Sequence, residues 1–153
     1  MRLSCRLASL VLAATTIACS EPLTPSTVSG FYLLESVNGQ PVPVVIGPIP
    51  EETITVLDGS VTLTSDANAY IYERRREVRQ NVPSERTYSS RLRFVLDGTR
   101  MGFPIDCPPN ANCMLLEGII FGERLRIAVG GFSAPNAMIY EYRLAPSRIV
   151  PAN

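Results

Sequence analysis

TITVLDGSVTLT, running from Thr53 to Thr64, alternates apolar and hydroxyl side chains with a period of two. Ile54, Val56, Val61 and Leu63 are flanked by threonines, the pattern of strands with one dry and one wet face. Asp58-Gly59 interrupts the alternation midway. Such a dipeptide between two apolar runs predicts a hairpin with a two-residue turn. A helix cannot use this pattern, because it would scatter the apolar side chains around its axis.

The same period continues outward from this ribbon. Leu125-Arg126-Ile127-Ala128-Val129 alternates, as does Met138-Ile139-Tyr140-Glu141-Tyr142-Arg143-Leu144. Tyr88, Ser90, Leu92, Phe94 and Leu96 share one face, while Ser89, Arg91 and Arg93 share the other. Turn signals fall at Asn38-Gly39, Asp97-Gly98 and Gly130-Gly131. Strands are predicted near 30–37, 52–57, 60–65, 69–79, 86–96, 114–121, 124–129 and 137–144, with no helical period and no internal repeat. The expected fold is all-β: an antiparallel up-and-down barrel of about eight strands, whose closure removes exposed edges. A two-sheet β-sandwich is the alternative. The inward set would be Ile54, Val56, Val61, Leu63, Leu92, Phe94, Leu125 and Ile127.

Composition narrows the chemistry. The chain has 153 residues, 46% of them hydrophobic, and formal charges that cancel, which suits one packed domain and argues against general nucleic-acid binding. It contains no histidine and no tryptophan, and every basic residue is arginine. Lack of histidine removes Ser-His-Asp and Cys-His catalysis and the H-E-x-x-H zinc site. Lack of lysine removes Schiff-base chemistry and the P-loop. A carboxylate pair remains as catalytic machinery, but no spacing singles one out among the fourteen acidic residues. The sequence therefore predicts a protein that is not an enzyme, with no catalytic residues, no metal and no cofactor.

The amino-terminal segment carries its own signal. Arg2 and Arg6 precede the apolar run from Leu7 to Ile17, the pattern of a secretory signal. That run is far shorter than the roughly 20 residues needed to cross a bilayer core. Thr16-Ile17-Ala18-Cys19 resembles the lipobox of bacterial lipoproteins. The resemblance implies cleavage before Cys19 and acylation of its thiol; ordinary cleavage with a free thiol is the other reading. Several acyl chains together hold a protein on a bilayer. Residues 1–18 are then the signal peptide and 19–29 the lipidated cysteine with a flexible, proline-bearing tether, able to reach on the order of 30 Å. The barrel domain spans 30–146 and a tail 147–153. By the same resemblance Ser20, which is not aspartate, favours the outer membrane, with the domain facing the periplasm or exterior.

Gly30-Phe31-Tyr32-Leu33-Leu34-Glu35-Ser36-Val37-Asn38-Gly39-Gln40-Pro41 resembles the opening of small bacterial lipoproteins with lipocalin-like barrels. Lipocalins begin Gly-x-Trp, and an arginine of the closing strand packs on that ring. Here the resemblance assigns closure to Gly30, Tyr32 and Arg143, a cation lying over an aromatic face.

Four further stretches draw functional readings. Pro41-Val42-Pro43-Val44-Val45-Ile46-Gly47-Pro48-Ile49-Pro50 is apolar yet broken by prolines, so it is no central strand. Val42, Val44, Val45, Ile46 and Ile49 form either a plug packed on the core or a lid over the barrel mouth. Glu73-Arg74-Arg75-Arg76-Glu77-Val78-Arg79 has charge on both faces, which predicts that the strand leaves the barrel near Glu73. The hairpin through Asn81–Ser84 then projects into solvent. Arg74, Arg75, Arg76 and Arg79 either grip phosphates or pair across strands with Glu73, Glu77 and Glu85. Met101-Gly102-Phe103-Pro104-Ile105 is a third apolar piece, at a strand end. Cys107 and Cys113 bracket a turn-rich loop and are predicted to form a disulfide, Cys5 leaving with the signal.

Two functions stay open: a lipid-anchored envelope barrel binding a small apolar or amphipathic ligand, or an envelope protein-interaction module, inhibitor or scaffold, with a filled barrel. Either is expected to be a monomer on the membrane through its lipid, and not to bind nucleic acid.

Overall fold

The computed structural model describes residues 22–49, 52–104 and 115–146. It opens with one helical turn, α1 (Pro25–Val28), inside the predicted tether. Proline at the first helical position has no amide to leave unpaired, and the Thr24 hydroxyl accepts from the Thr27 amide at 3.3 Å. Val28 is buried, and Tyr32 Oη donates to its carbonyl at 2.9 Å. The chain just before the sheet is thereby fastened to it.

Eleven strands follow: β1 (Gly30–Val37), β2 (Gln40–Pro41), β3 (Val44–Ile49), β4 (Glu52–Leu63), β5 (Asn68–Arg79), β6 (Val82–Arg93), β7 (Val95–Asp97), β8 (Arg100–Gly102), β9 (Leu116–Phe121), β10 (Arg124–Val129) and β11 (Met138–Leu144). All belong to one sheet, with the order β6-β5-β4-β1-β11-β10-β9-β8-β7, and every pairing is antiparallel. A single sheet replaces the sandwich alternative. It curls into a half-barrel with the strand order of an up-and-down barrel. No helix among the described residues is long and apolar enough to cross a membrane.

First and last strands meet, as expected: Leu33 lies opposite Arg143 and Val37 opposite Tyr140. The chain passes straight from β6 to β7 through Phe94, whose amide still donates to Ala67 at 3.0 Å. Residues 82–97 thus act as one long bent strand, giving its first part to β5 and its last three residues to β8. The other side of β6 is an open edge. The core lies on the concave face, where Val56, Val61, Leu63, Phe94, Leu125 and Ile127 are all buried. Ile54 and Leu92, predicted with them, are half-buried.

Three expectations are corrected. Asp58-Gly59 is a bulge, not a turn. Val56 pairs with Arg75 and Asp58 with Arg74, which leaves Leu57 as the extra residue of one continuous twelve-residue strand. The bulge sits where β4 changes partner on its other side, from β3 opposite Glu52–Val56 to β1 opposite Ser60–Leu63. Glycine is needed there for closeness: a Cβ on Gly59 would lie 3.0 Å from the Tyr72 carbonyl oxygen and 3.2 Å from Leu34 Cδ2.

The proline-broken stretch does form a strand, β3, but it pairs with β4 alone, on the same side as β1, so it is not a central strand; its register slips between Ile46 and Pro48. Pro48 falls at the slip, where a missing amide breaks no regular ladder.

β5 does not leave the sheet near Glu73. It pairs with β4 and β6 along its whole length, and the chain reverses at Gln80-Asn81 (φ 50° and 65°) rather than at 81–84. Charge on the concave face is tolerated because it comes as neutralising partners, described next.

Candidate ligand-binding cavity

Alternation sends Ile71, Glu73, Arg75 and Glu77 of β5 to the concave side, with Ser90, Tyr88, Arg86 and Ser84 opposite them on β6. Facing them across the curl are the inward side chains of β9, β10 and β11. Between the two walls lies a cavity of about 590 Å³. Ile46, Ile54, Ile127, Val129 and Met138 make it apolar, while Glu73, Arg75, Tyr88, Ser90, Tyr140 and Tyr142 supply a polar end. Its size lies within the range of ligand pockets, roughly 300–1,000 Å³.

The polar end is an ordered set of pairs. Arg75 Nε is bonded to Glu73 Oε1, their side chains being 27% and 12% exposed. The same guanidinium lies 4.8 Å from the centre of the Tyr88 ring, a cation on an aromatic face. Tyr88 Oη donates to Glu77 Oε1. Glu77 is only 2% exposed, and its second oxygen lies 3.4 Å from Arg86 Nε and 3.7 Å from Arg79 Nη2. Tyr140 Oη bonds the Met138 sulfur at 3.1 Å, and its ring stacks on Tyr142 at 6.4 Å between centroids.

These surroundings fix the protonation states. Burial pushes the Tyr140 hydroxyl up to about 12, the Glu73 carboxylate adding to the effect, and raises Tyr142 for the same two reasons. Tyr88 is raised chiefly by its bond to Glu77. Burial pulls Arg75 down, but the bond and charge of Glu73 outweigh it and leave Arg75 above its ordinary value. The tyrosines are neutral donors and acceptors near pH 7, and the charges are spent on one another.

The arginines of the predicted anion grip do not converge. Arg74 and Arg76 lie on the convex face, where Arg74 reaches Asp58 at 2.5 Å and Arg76 reaches Glu85 at 2.9 Å. Arg75 and Arg79 lie on the concave face, Arg79 at 2.6 Å from Glu52. Each has a carboxylate partner, across strands for Arg74, Arg76 and Arg79 and along β5 itself for Arg75; of the expected cross-strand partners Glu85 serves Arg76, while Asp58 and Glu52 take the places expected of Glu73 and Glu77. Of the lid or plug residues, Val44 is buried, Val42 and Ile46 pack on the core, and Ile46 lines the cavity. Val45 points outward, 53% exposed, and the Ile49 side chain lies outside the described residues.

The closing residues behave differently from one another. A Cβ on Gly30 would stand 2.5 Å from Leu144 Cδ1, so the end of the Leu144 side chain fills the space a side chain at 30 would take. Tyr32 is 2% exposed and faces inward. Arg143 sits opposite Leu33 on the convex face and bonds Glu35 at 2.6 Å. The packing of Arg143 on the Tyr32 ring does not occur, because one residue of offset along a strand reverses the face. Leu144 is opposite Tyr32 instead. Met101 and Phe103 are buried, while Ile105 lies outside the described residues. So do Cys19, Cys107 and Cys113, the proposed lipidation and disulfide positions.

Sequence reasoning did not single out Glu73, Tyr88, Ser90, Met138 and Tyr140 as a site. Their shared facing was readable from alternation; their meeting across the curl was not. Compared with family models, curated proteins and solved structures, the chain has no match.

Proposed function

We propose that this chain is an exported, lipid-anchored cell-envelope domain of lipocalin-like plan that binds a small apolar or amphipathic ligand on its concave face. The supporting observation is the 590 Å³ cavity, apolar along most of its wall and polar at one end. Burial of apolar surface supplies the affinity, at about 25 cal/mol per Å² removed from water, and the polar end fixes orientation. The charged side chains that line the cavity are paired with each other and its tyrosines are neutral, which favours binding over catalysis. A filled interior, the premise of the interaction-module reading, fits a cavity of this volume poorly.

Native mass spectrometry of gently purified protein tests the proposal. A small molecule retained on the folded chain, and displaced by a neutral apolar fluorophore, is the expected result. A clean unliganded mass together with no uptake of the fluorophore refutes it.

A further inference from the structure

We propose, on the basis of that binding reading, that the cavity selects uncharged amphiphiles: an apolar body carrying a hydroxyl or amide head, in preference to a carboxylate or an amine on the same body. The concave face of β4, β5 and β6 carries three carboxylates, Glu52, Glu73 and Glu77, and three guanidiniums, Arg75, Arg79 and Arg86. They balance, and they are already engaged. Arg79 joins Glu52 at 2.6 Å, and Arg79 and Arg86 both lie against Glu77.

Only one of these pairs, Glu73–Arg75, lines the cavity. Arg75 gives Glu73 its Nε, and a charged head reaching the remaining donors of Arg75 or lone pairs of Glu73 would add an unbalanced charge to a balanced pair. An anion would lie beside a carboxylate only 12% exposed, and a cation beside a guanidinium already held over the Tyr88 ring. Taking a charge out of water without a partner of its own is strongly unfavourable. A hydroxyl or amide brings no charge. It can donate to the free lone pairs of Glu73 and accept from Ser90 or a tyrosine hydroxyl, leaving the ion pair whole. The arginine-rich stretch thus acts by excluding charge, the reverse of the phosphate grip its composition suggests.

The test is displacement of N-phenyl-1-naphthylamine from the purified protein at neutral pH. Competitors are a long-chain alcohol, the carboxylate and the primary amine of the same chain. The alcohol is expected to displace the probe at a concentration at least about tenfold below either charged competitor. Two variants report on cause: Glu73→Gln frees Arg75 and should bring the carboxylate level with the alcohol, while Arg75→Met frees Glu73 and should do so for the amine. Melting curves confirm that each variant is folded, and either one suffices. Equal displacement by alcohol and carboxylate, or by alcohol and amine, in the unmodified protein overturns the inference while leaving ligand binding intact. Absence of any probe uptake overturns the binding reading itself.

Discussion

Replacing Tyr140 with phenylalanine should change how stability depends on alkaline pH. Tyr140 is 4% exposed and its hydroxyl is pushed up to about 12 in the folded protein, against about 10 in an unfolded chain. Between those values the folded state holds a proton that the unfolded state has lost. Unfolding then releases a proton, so stability falls as pH rises. It is fully present below pH 10 and is lost as pH climbs towards 12. At pH 11 an unfolded tyrosine is about ten-elevenths ionised and the folded one about one-eleventh, a loss of about 1.4 kcal/mol from this residue.

Tyr140→Phe keeps the ring stacked on Tyr142 and removes the titrating group, together with a weak bond to the Met138 sulfur. Near pH 8 its cost should stay below about 1 kcal/mol. By pH 11 the gap between the two proteins should have narrowed or inverted by about 1.4 kcal/mol. Urea unfolding followed by circular dichroism at pH 8, 9, 10 and 11 measures both. Burial keeps the neighbouring Tyr142 protonated in the folded state across this range in both proteins, so the difference isolates residue 140. A gap that stays constant to within about 0.5 kcal/mol over this range would refute the burial of Tyr140 against Glu73.

Other expectations are independent of that one. Gly30→Val should destabilise by about 1–3 kcal/mol through overpacking, because its Cβ would meet Leu144; adding Leu144→Ala should restore part of the loss in denaturant titrations, and no restoration would mean the contact does not form. Val129→Phe, on the cavity wall, should weaken neutral-probe binding at least about tenfold while the protein stays folded; unchanged affinity would place the ligand elsewhere. Cys19→Ala should move the protein from the membrane to the soluble fraction, and retention would remove the anchor. Cys107→Ser should lower stability by roughly 2 kcal/mol by loop entropy, and free thiols at both positions in the exported protein would remove the disulfide.

Much of the fold was legible because a dry face and a wet face leave a period-two trace that needs no knowledge of partners. β1 and β11 follow that trace closely, and β10 does so up to Ala128, which is buried out of step. The errors came where one local signal serves two structures. Asp58-Gly59 marks a tight turn or a bulge equally well, and the choice was made by β5, whose unbroken ladder spans both halves of β4. Arg143 illustrates the opposite failure. Tyr140, Tyr142 and Leu144 already claimed the inward positions of β11, so the intervening arginine had to face outward, and the sequence contained that answer. The polar end of the cavity lay beyond local reach, since Glu73 and Tyr140 come together only when the sheet curls.

β6 explains why a sheet of this order can stop at a half-barrel without inviting another chain to complete it. The two left-handed residues Gln80-Asn81 make a two-residue hairpin turn, so Arg79 and Val82 form a hydrogen-bonded pair. Every second residue from Val82 then bonds to β5, and the main-chain groups of 83, 85, 87, 89, 91 and 93 point to the open edge. Proline falls on one of those edge-facing positions, where its missing amide breaks no bond to β5. Glu85, Arg91 and Arg93 occupy three more and are exposed. Proline and charge are the devices by which edge strands resist pairing, and here the proline and three of the strand's four charged residues fall in that parity, Arg86 alone facing the concave side. The inward parity of the same strand carries Tyr88 and Ser90 to the cavity, so a single alternation both protects the open side and furnishes the polar end of the site.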